Sequence, residues 1–236
     1  MSTELLFRDD AYLREAEARI VAAEEAGLIL DRTLFYAQGG GQPGDRGTVL
    51  REDGSEIAVL DTVYGPDKHT VLHRIAPNAA LPVLGERVRL VLDWPLRLAR
   101  MRVHTALHLL SVALPYPVTG GAIGEGEGRL DFDIPDAGLD KEAVTARLRE
   151  MIAQDAAVTT RWISDEALLA NPGLVKTMSV KPPIGTGRVR LVAIDGLDLQ
   201  PCGGTHVART GEIGVATVTA IEKKGKQNRR VRLSLA

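Results

Sequence analysis

Asp93-Trp-Pro-Leu-Arg-Leu-Ala-Arg-Met-Arg-Val-His104-Thr-Ala-Leu-His108-Leu-Leu-Ser-Val-Ala-Leu114 is the stretch at which the hydrophobic period of this chain changes. Asp93 is a helix-capping residue type, and Pro95 falls in a first turn, where a missing N–H is tolerated. Leu96, Val103, Leu107, Leu110 and Leu114 then recur at helical spacing, and Pro115 predicts the end of the helix. Arg97, Arg100, His104, His108 and Ser111 repeat at the same interval along the edge of that apolar stripe, as a polar face on which chemistry could sit.

Upstream of Asp93 the pattern is that of a small β domain. Gln38-Gly-Gly-Gly-Gln-Pro-Gly-Asp-Arg-Gly47 holds five glycines in ten residues and reads as a tight loop between extended segments. Alternating, β-branched runs follow at Thr48–Leu50, Glu56–Val63, Thr70–Ile75 and Arg87–Asp93. The Ala/Glu-rich stretch Arg14–Ala26 favours helix by propensity. Downstream, extended segments at Val118–Thr119 and Arg129–Ile134 precede a helix near Asp140–Gln154, a strand near Val158–Ile163 and a short helix at Asp165–Ala170. Strands at Arg188–Ile194, Gly214–Glu222 and Arg229–Leu235 complete the pattern. The fold class is therefore α+β, with a domain boundary near Asp93: residues 1–93 form a β-barrel-like domain with a Gly-rich loop, and residues 94–236 an α+β domain.

Composition narrows the function. The 236 residues carry 29 basic and 31 acidic side chains, a net charge of −2, so the chain is not a polycation that coats DNA or anionic membrane, and any nucleic-acid contact is a local patch. Aromatics at 4% are too few for a platform that stacks bases. The lone Cys202 has no internal disulfide partner, no apolar run approaches membrane-spanning length, and no signal-peptide core opens the chain. The expected compartment is the reducing cytoplasm.

Two His-x-x-x-His pairs compete as a metal site. Four helical residues rise roughly 6 Å, which stacks His104 over His108, whereas four residues of strand advance roughly 13 Å and separate His69 from His73. Gln200-Pro-Cys-Gly-Gly-Thr-His206 supplies a thiol and a third imidazole, with two glycines that let the backbone turn between them. One sulfur with three imidazoles selects zinc over magnesium or calcium. Residue 105 is threonine, so the helix lacks the acid of a His-Glu-x-x-His protease. Gly39-x-Gly41-x-x-Gly44 matches the dinucleotide fingerprint in letters only, because no helix opens after it.

His104-Thr-Ala-Leu-His108, Cys202-Gly-Gly-Thr-His206, Gly39-Gly-Gly-Gln-Pro-Gly-Asp-Arg-Gly47 and Lys223-Lys-Gly-Lys-Gln-Asn-Arg-Arg230 occur in an order that resembles the AlaX family, in its medium-length form. These are free-standing trans-editing proteins similar to the editing domain of alanyl-tRNA synthetase. The resemblance implies that Arg14–Ala26 is largely extended, that zinc is held by His104, His108, Cys202 and His206 in an editing domain, and that the partner is mischarged tRNA-Ala. The implied reaction is deacylation, chiefly of Ser-tRNA-Ala, with Gly-tRNA-Ala as a second candidate. Gly120 stands where the synthetase domain has glutamine after a Val-Thr pair, so that pocket is not carried over in detail.

An alanine pocket rejects an added hydroxyl only about a hundredfold, which makes a second sieve useful. Thr105 is one candidate to bind the seryl hydroxyl, and its alternative is a bond to its own helix backbone. Gln42 and Asp45 are the polar candidates of the Gly-rich loop for substrate contact. Lys223, Lys224, Lys226, Arg229 and Arg230, with Arg232, form a basic hairpin for tRNA phosphates, and Arg97 and Arg100 are candidates for the acceptor end. Asp131 and Asp133 are either polar helpers or solvated surface. Four protein ligands normally close a zinc site, so the water-activating group is left open. So are two other functions: a non-catalytic RNA-binding module stapled by zinc, and a zinc esterase acting on another mischarged tRNA.

Overall fold

The computed structural model describes residues 2–134, 138–178 and 187–236. They form two compact units, Met1–Leu98 and Ala99–Ala236, each with its own interior. A closed six-stranded barrel, further sheets and few helices make the fold α+β, as the periodicity predicts.

The first unit contains β1 (Glu4–Leu5), β2 (Glu15–Glu24), β3 (Gly27–Leu30), β4 (Arg32–Thr33), β5 (Gly47–Arg51), β6 (Glu56–Tyr64), β7 (Val71–Ile75) and β8 (Arg87–Leu92). Six of these close in the order β2-β3-β7-β6-β5-β8, so no edge of that sheet is left unpaired. Strand β2 takes up most of the Ala/Glu stretch for which propensity favours helix. Its alternation is the reason: Ala18 and Ile20 face inward onto Leu28, Leu30, Phe35, Val49, Val59, Val88 and Leu90, burial that outweighs a few tenths of a kcal/mol per residue of helix preference.

The glycines of the Gly-rich loop answer to different constraints. Gly41 has φ +83, a left-handed turn conformation, whereas a Cβ on Gly44 would lie 2.0 Å from the Thr62 carbonyl oxygen. Between them Gly39 and Gln42 exchange backbone hydrogen bonds of 3.1 and 2.9 Å. Asp45 follows, and its Oδ2 accepts from the Tyr36 amide at 2.6 Å and from Arg97 Nε at 2.8 Å. The Arg97 guanidinium also donates to the carbonyls of Ala11 (2.8 Å) and Leu34 (2.6 Å). Both side chains of this ion pair are shut off from solvent.

His73 on β7 is fully buried beneath the barrel wall. Its Nδ1 lies 3.0 Å from the Leu28 carbonyl and so carries the proton, which leaves Nε2 to accept from the Thr33 hydroxyl at 2.7 Å. His69 lies exposed ahead of the strand, so this second His-x-x-x-His pair does not converge.

The second unit holds the body of α1 (Trp94–Ala113), whose N-terminus is capped by Asp93 Oδ1 accepting from the Leu96 amide at 3.2 Å. It continues with β9 (Val118–Ile123), β10 (Glu127–Asp133), α2 (Lys141–Ala153), β11 (Val158–Ser164), α3 (Asp165–Leu169), β12 (Arg188–Ile194), β13 (Asp198–Pro201), β14 (Ala216–Lys223) and β15 (Asn228–Leu235). Two antiparallel sheets result, ordered β14-β15-β10-β9 and β11-β12-β13. Helix α2, capped by Asp140, packs Val144, Leu148, Met151 and Ile152 inward beside β14. Helix α1 lies so close to β10 that a Cβ on Gly128 would meet Val103 Cγ1 at 2.6 Å. The polar edge of α1 is interior rather than solvated: Arg97, Arg100, His104, His108 and Ser111 are all buried. No helix among the described residues is long and apolar enough to cross a membrane.

Burial lowers the His73 pKa to about 4, below the ordinary 6.5, so the unfolded chain takes up this proton first as pH falls. Stability is therefore lost between about pH 6.5 and 4, by about 3 kcal/mol. Urea midpoints of the native chain and of His73→Gln across that range check this, and identical slopes would contradict it. Arg97→Met removes the countercharge of the buried Asp45 carboxylate and is expected to cost about 3–5 kcal/mol at neutral pH. A midpoint shift worth less than about 1 kcal/mol would show that the pair carries little weight.

Candidate metal centre

Helix α1 presents His104 and His108 one turn apart, and the loop leaving β13 brings Cys202 and His206 to the same place. One donor atom from each of the four lies within 4.8 Å of every other, and among the described residues this is the group of this kind that could hold a metal ion. Cys202 Sγ stands 3.5 Å from His104 Nε2 and 3.3 Å from His206 Nε2. Tetrahedral coordination with bonds of about 2.0–2.3 Å separates neighbouring ligands by roughly 3.3–3.8 Å, so the spacing fits one ion.

The surroundings hold each donor in orientation. His206 Nδ1 lies 3.2 Å from Thr105 Oγ1, which donates to the Met101 carbonyl at 2.9 Å and accepts from the Val207 amide at 3.2 Å. The loop is tied down by Arg190 of β12, whose guanidinium donates to the carbonyls of Cys202 (3.0 Å) and Gly204 (2.9 Å). The Gly204 amide points at Cys202 Sγ at 3.4 Å. His108 Nδ1 faces Asp198 Oδ2 at 3.1 Å, and Lys176 Nζ forms an ion pair with the other oxygen of that carboxylate.

Electrostatics favour a thiolate. Burial opposes ionisation of Cys202, but the charges of His104 and His206, with the hydrogen bonds of His104 and His108, bring its pKa well below the ordinary 9.0. Burial also pulls on His108, yet Asp198 and Cys202 raise it to about 9. His206 is lowered to about 3 by burial and by the neighbouring His104 charge. Asp198 is held far below the usual carboxylate range: burial works against its charge, and His108, Lys176 and Gln200 overcome it.

Other expected site residues are placed differently. Arg97 and Arg100 are buried, Arg97 in its pair with Asp45 and Arg100 beside Glu125 at 3.6 Å, so neither offers its charge to an acceptor stem at the surface. Asp45 spends its Oδ2 on Arg97 and the Tyr36 amide, and Gln42 is buried in the same loop. The Thr105 hydroxyl has one proton and two lone pairs, all engaged, so its place is in orienting His206 rather than in binding a substrate hydroxyl. Asp131 is neither helper nor solvated acid, since Arg230 grips it at 2.7 and 2.8 Å and Arg129 at 2.6 Å. The turn after Cys202 does not need glycine for its dihedrals: neither Gly203 nor Gly204 has positive φ, and a Cβ on Gly203 would meet no atom within 4 Å.

On the basic hairpin between β14 and β15, Lys223, Lys224 and Lys226 are exposed, and Arg229 and Arg230 half-buried. Glu222 pairs with Arg232 at 2.8 Å and Lys224 at 3.8 Å. Among the described residues, Lys223, Lys226 and Arg229 have no acidic partner. Sequence reasoning missed Asp198, Gln200, Lys176 and Arg190. A signal for the first two was present, because residues 198 and 200 alternate along a strand that leads directly to Cys202 and therefore share one face.

Residues 189–232 match the model of the threonyl and alanyl tRNA synthetase second additional domain, and residues 7–96 match that of class II (A) tRNA synthetases. The alanyl-tRNA editing protein AlaX-M of Methanosarcina acetivorans is 34% identical over 99% of both chains. Its counterpart from Saccharolobus solfataricus is 36% identical over 97% of each. An alanine–tRNA ligase of Korarchaeum cryptofilum is 36% identical over 90% of this chain and 24% of its own length. With such identity over essentially its full length, the chain belongs to the AlaX family.

Proposed function

We propose that the chain is a trans-acting deacylase that hydrolyses the ester of mischarged tRNA-Ala in the cytoplasm. Ser-tRNA-Ala is the principal substrate in this reading and Gly-tRNA-Ala a second. Its family supports the reaction class, and the observation that carries the chemistry is the convergence of His104, His108, Cys202 and His206. In this reading residues 1–93 are a barrel domain with the Gly-rich loop, and residues 94–236 are the editing domain. The four donors hold zinc, the ion suited to one thiolate and three imidazoles. When bound, zinc polarises the ester carbonyl or lowers the pKa of the attacking water.

The chain's own residues prepare the site. Thr105 and Asp198 each engage the Nδ1 side of a histidine and leave Nε2 for the cluster, while Arg190 holds the Cys202 loop by its carbonyls. Open space beside Gly203 gives an aminoacyl group room to approach the backbone. The basic hairpin meets tRNA phosphates, with Lys223, Lys224, Lys226, Arg229 and Arg230 as its cations. With a net charge of −2 on the whole chain, attraction to tRNA comes from this patch and does not extend to DNA or membrane. Two other readings share the metal. A non-catalytic RNA-binding module stapled by zinc draws on the closed set of four ligands. An esterase for another mischarged tRNA draws on the same donors.

Zinc analysis combined with hydrolysis of Ser-, Gly- and Ala-tRNA-Ala separates these readings. The expected result is one zinc per chain and fastest turnover of the seryl ester, lost on chelation and restored by zinc. Tight tRNA binding without turnover would favour the stapled module, and inactivity on all three substrates alongside turnover of another charged tRNA would favour the alternative esterase. For the hairpin, Lys223→Glu with Lys226→Glu should weaken tRNA binding and lower the salt slope by about one unit per cation removed. An unchanged slope would place the tRNA surface elsewhere.

A further inference from the structure

We infer that Asp198 is a positioning residue that locks His108 in the tautomer able to ligate through Nε2, and that Lys176 and Gln200 hold Asp198 to that task. The inference rests on the metal reading of the cluster. The Asp198 carboxylate is wholly buried and only accepts hydrogen bonds. His108 Nδ1 lies 3.1 Å from Oδ2 and 3.1 Å from Gln200 Nε2; the amide nitrogen is closer to the carboxylate, so Nδ1 donates to Oδ2 and Nε2 is the ring nitrogen turned to the cluster. Gln200 Nε2 donates to the same oxygen at 2.6 Å. Its other proton points toward Ser111 Oγ at 3.4 Å, and Ser111 Oγ donates to the His108 carbonyl at 2.7 Å. Lys176 takes Oδ1, so the carboxylate cannot turn without breaking an ion pair.

This arrangement makes Asp198→Asn informative despite its near-identical shape. Lys176, a full charge, needs an acceptor, so the Asn carbonyl oxygen turns to it, the amide group faces His108 Nδ1, and the Gln200 amide turns to present its Oε1. A donor at Nδ1 drives the imidazole proton to Nε2, the form that cannot ligate there. Removing the ammonium with Lys176→Met lets the Asn carbonyl turn back to His108. Loss in the single variant and recovery in the double is a pattern that a purely structural role would not produce.

The test is zinc affinity, measured by competition with a chromophoric chelator on the full chain, with thermal melts of the metal-free proteins as a folding control. Asp198→Asn should weaken zinc binding about 10–100-fold. Asp198→Asn with Lys176→Met should return to within about tenfold of the native chain. Long-range ¹H–¹⁵N spectra of the zinc-loaded native protein should show His108 protonated at Nδ1, a readout that needs no variant. If the native chain binds no zinc, the metal reading fails and takes this inference with it. If it binds zinc but Asp198→Asn binds equally well, or if His108 ligates through Nδ1, only the inference about Asp198 is overturned.

Discussion

Three imidazoles and a thiol crowded within 4.8 Å, on segments about a hundred residues apart in sequence, are the constraint that organises the second unit. Side chains of this kind are poorly placed beside one another unless their protons and charges are arranged. Helix α1 can offer two of them only because four residues of helix return to the same face. The other two arrive because β12 and β13 run antiparallel, so that the loop after Pro201 emerges beside α1. The buried polar residues around the cluster follow from this need. Thr105, Asp198 and Arg190 would each be awkward in an apolar interior, and each has partners in the site it serves.

The same principle, buried polarity answered locally, explains the first unit. Arg97 and Asp45 pair where the first turn of α1 meets the Gly-rich loop, and two backbone carbonyls take further donors of the guanidinium. The loop thus owes its shape to an ion pair as much as to its glycines. His73 remains neutral because burial penalises its charge, and Leu28 and Thr33 give both ring nitrogens partners in that neutral form.

Local pattern was enough to read α1, its cap at Asp93, the spacing of His104 and His108, and most strands of both halves. Propensity misled at Arg14–Ala26, where the alternation that buries Ala18 and Ile20 overrides a preference for helix. What could not be read was pairing at a distance. Arg97 lies on the same helical edge as the histidines, and its burial depends on Asp45, 52 residues earlier. Asp131 resembles a surface acid until β15 brings Arg230 opposite it. Strand β13 escaped notice because it is four residues long and runs into Pro201, and with it went Asp198 and Gln200.

X-ray absorption at the zinc edge of the purified native protein tests the central claim most directly. The account predicts one zinc per chain with a shell of one sulfur at about 2.3 Å and three nitrogens at about 2.0 Å. A protein purified without metal that still turns over substrate, or a zinc shell lacking sulfur, would contradict it.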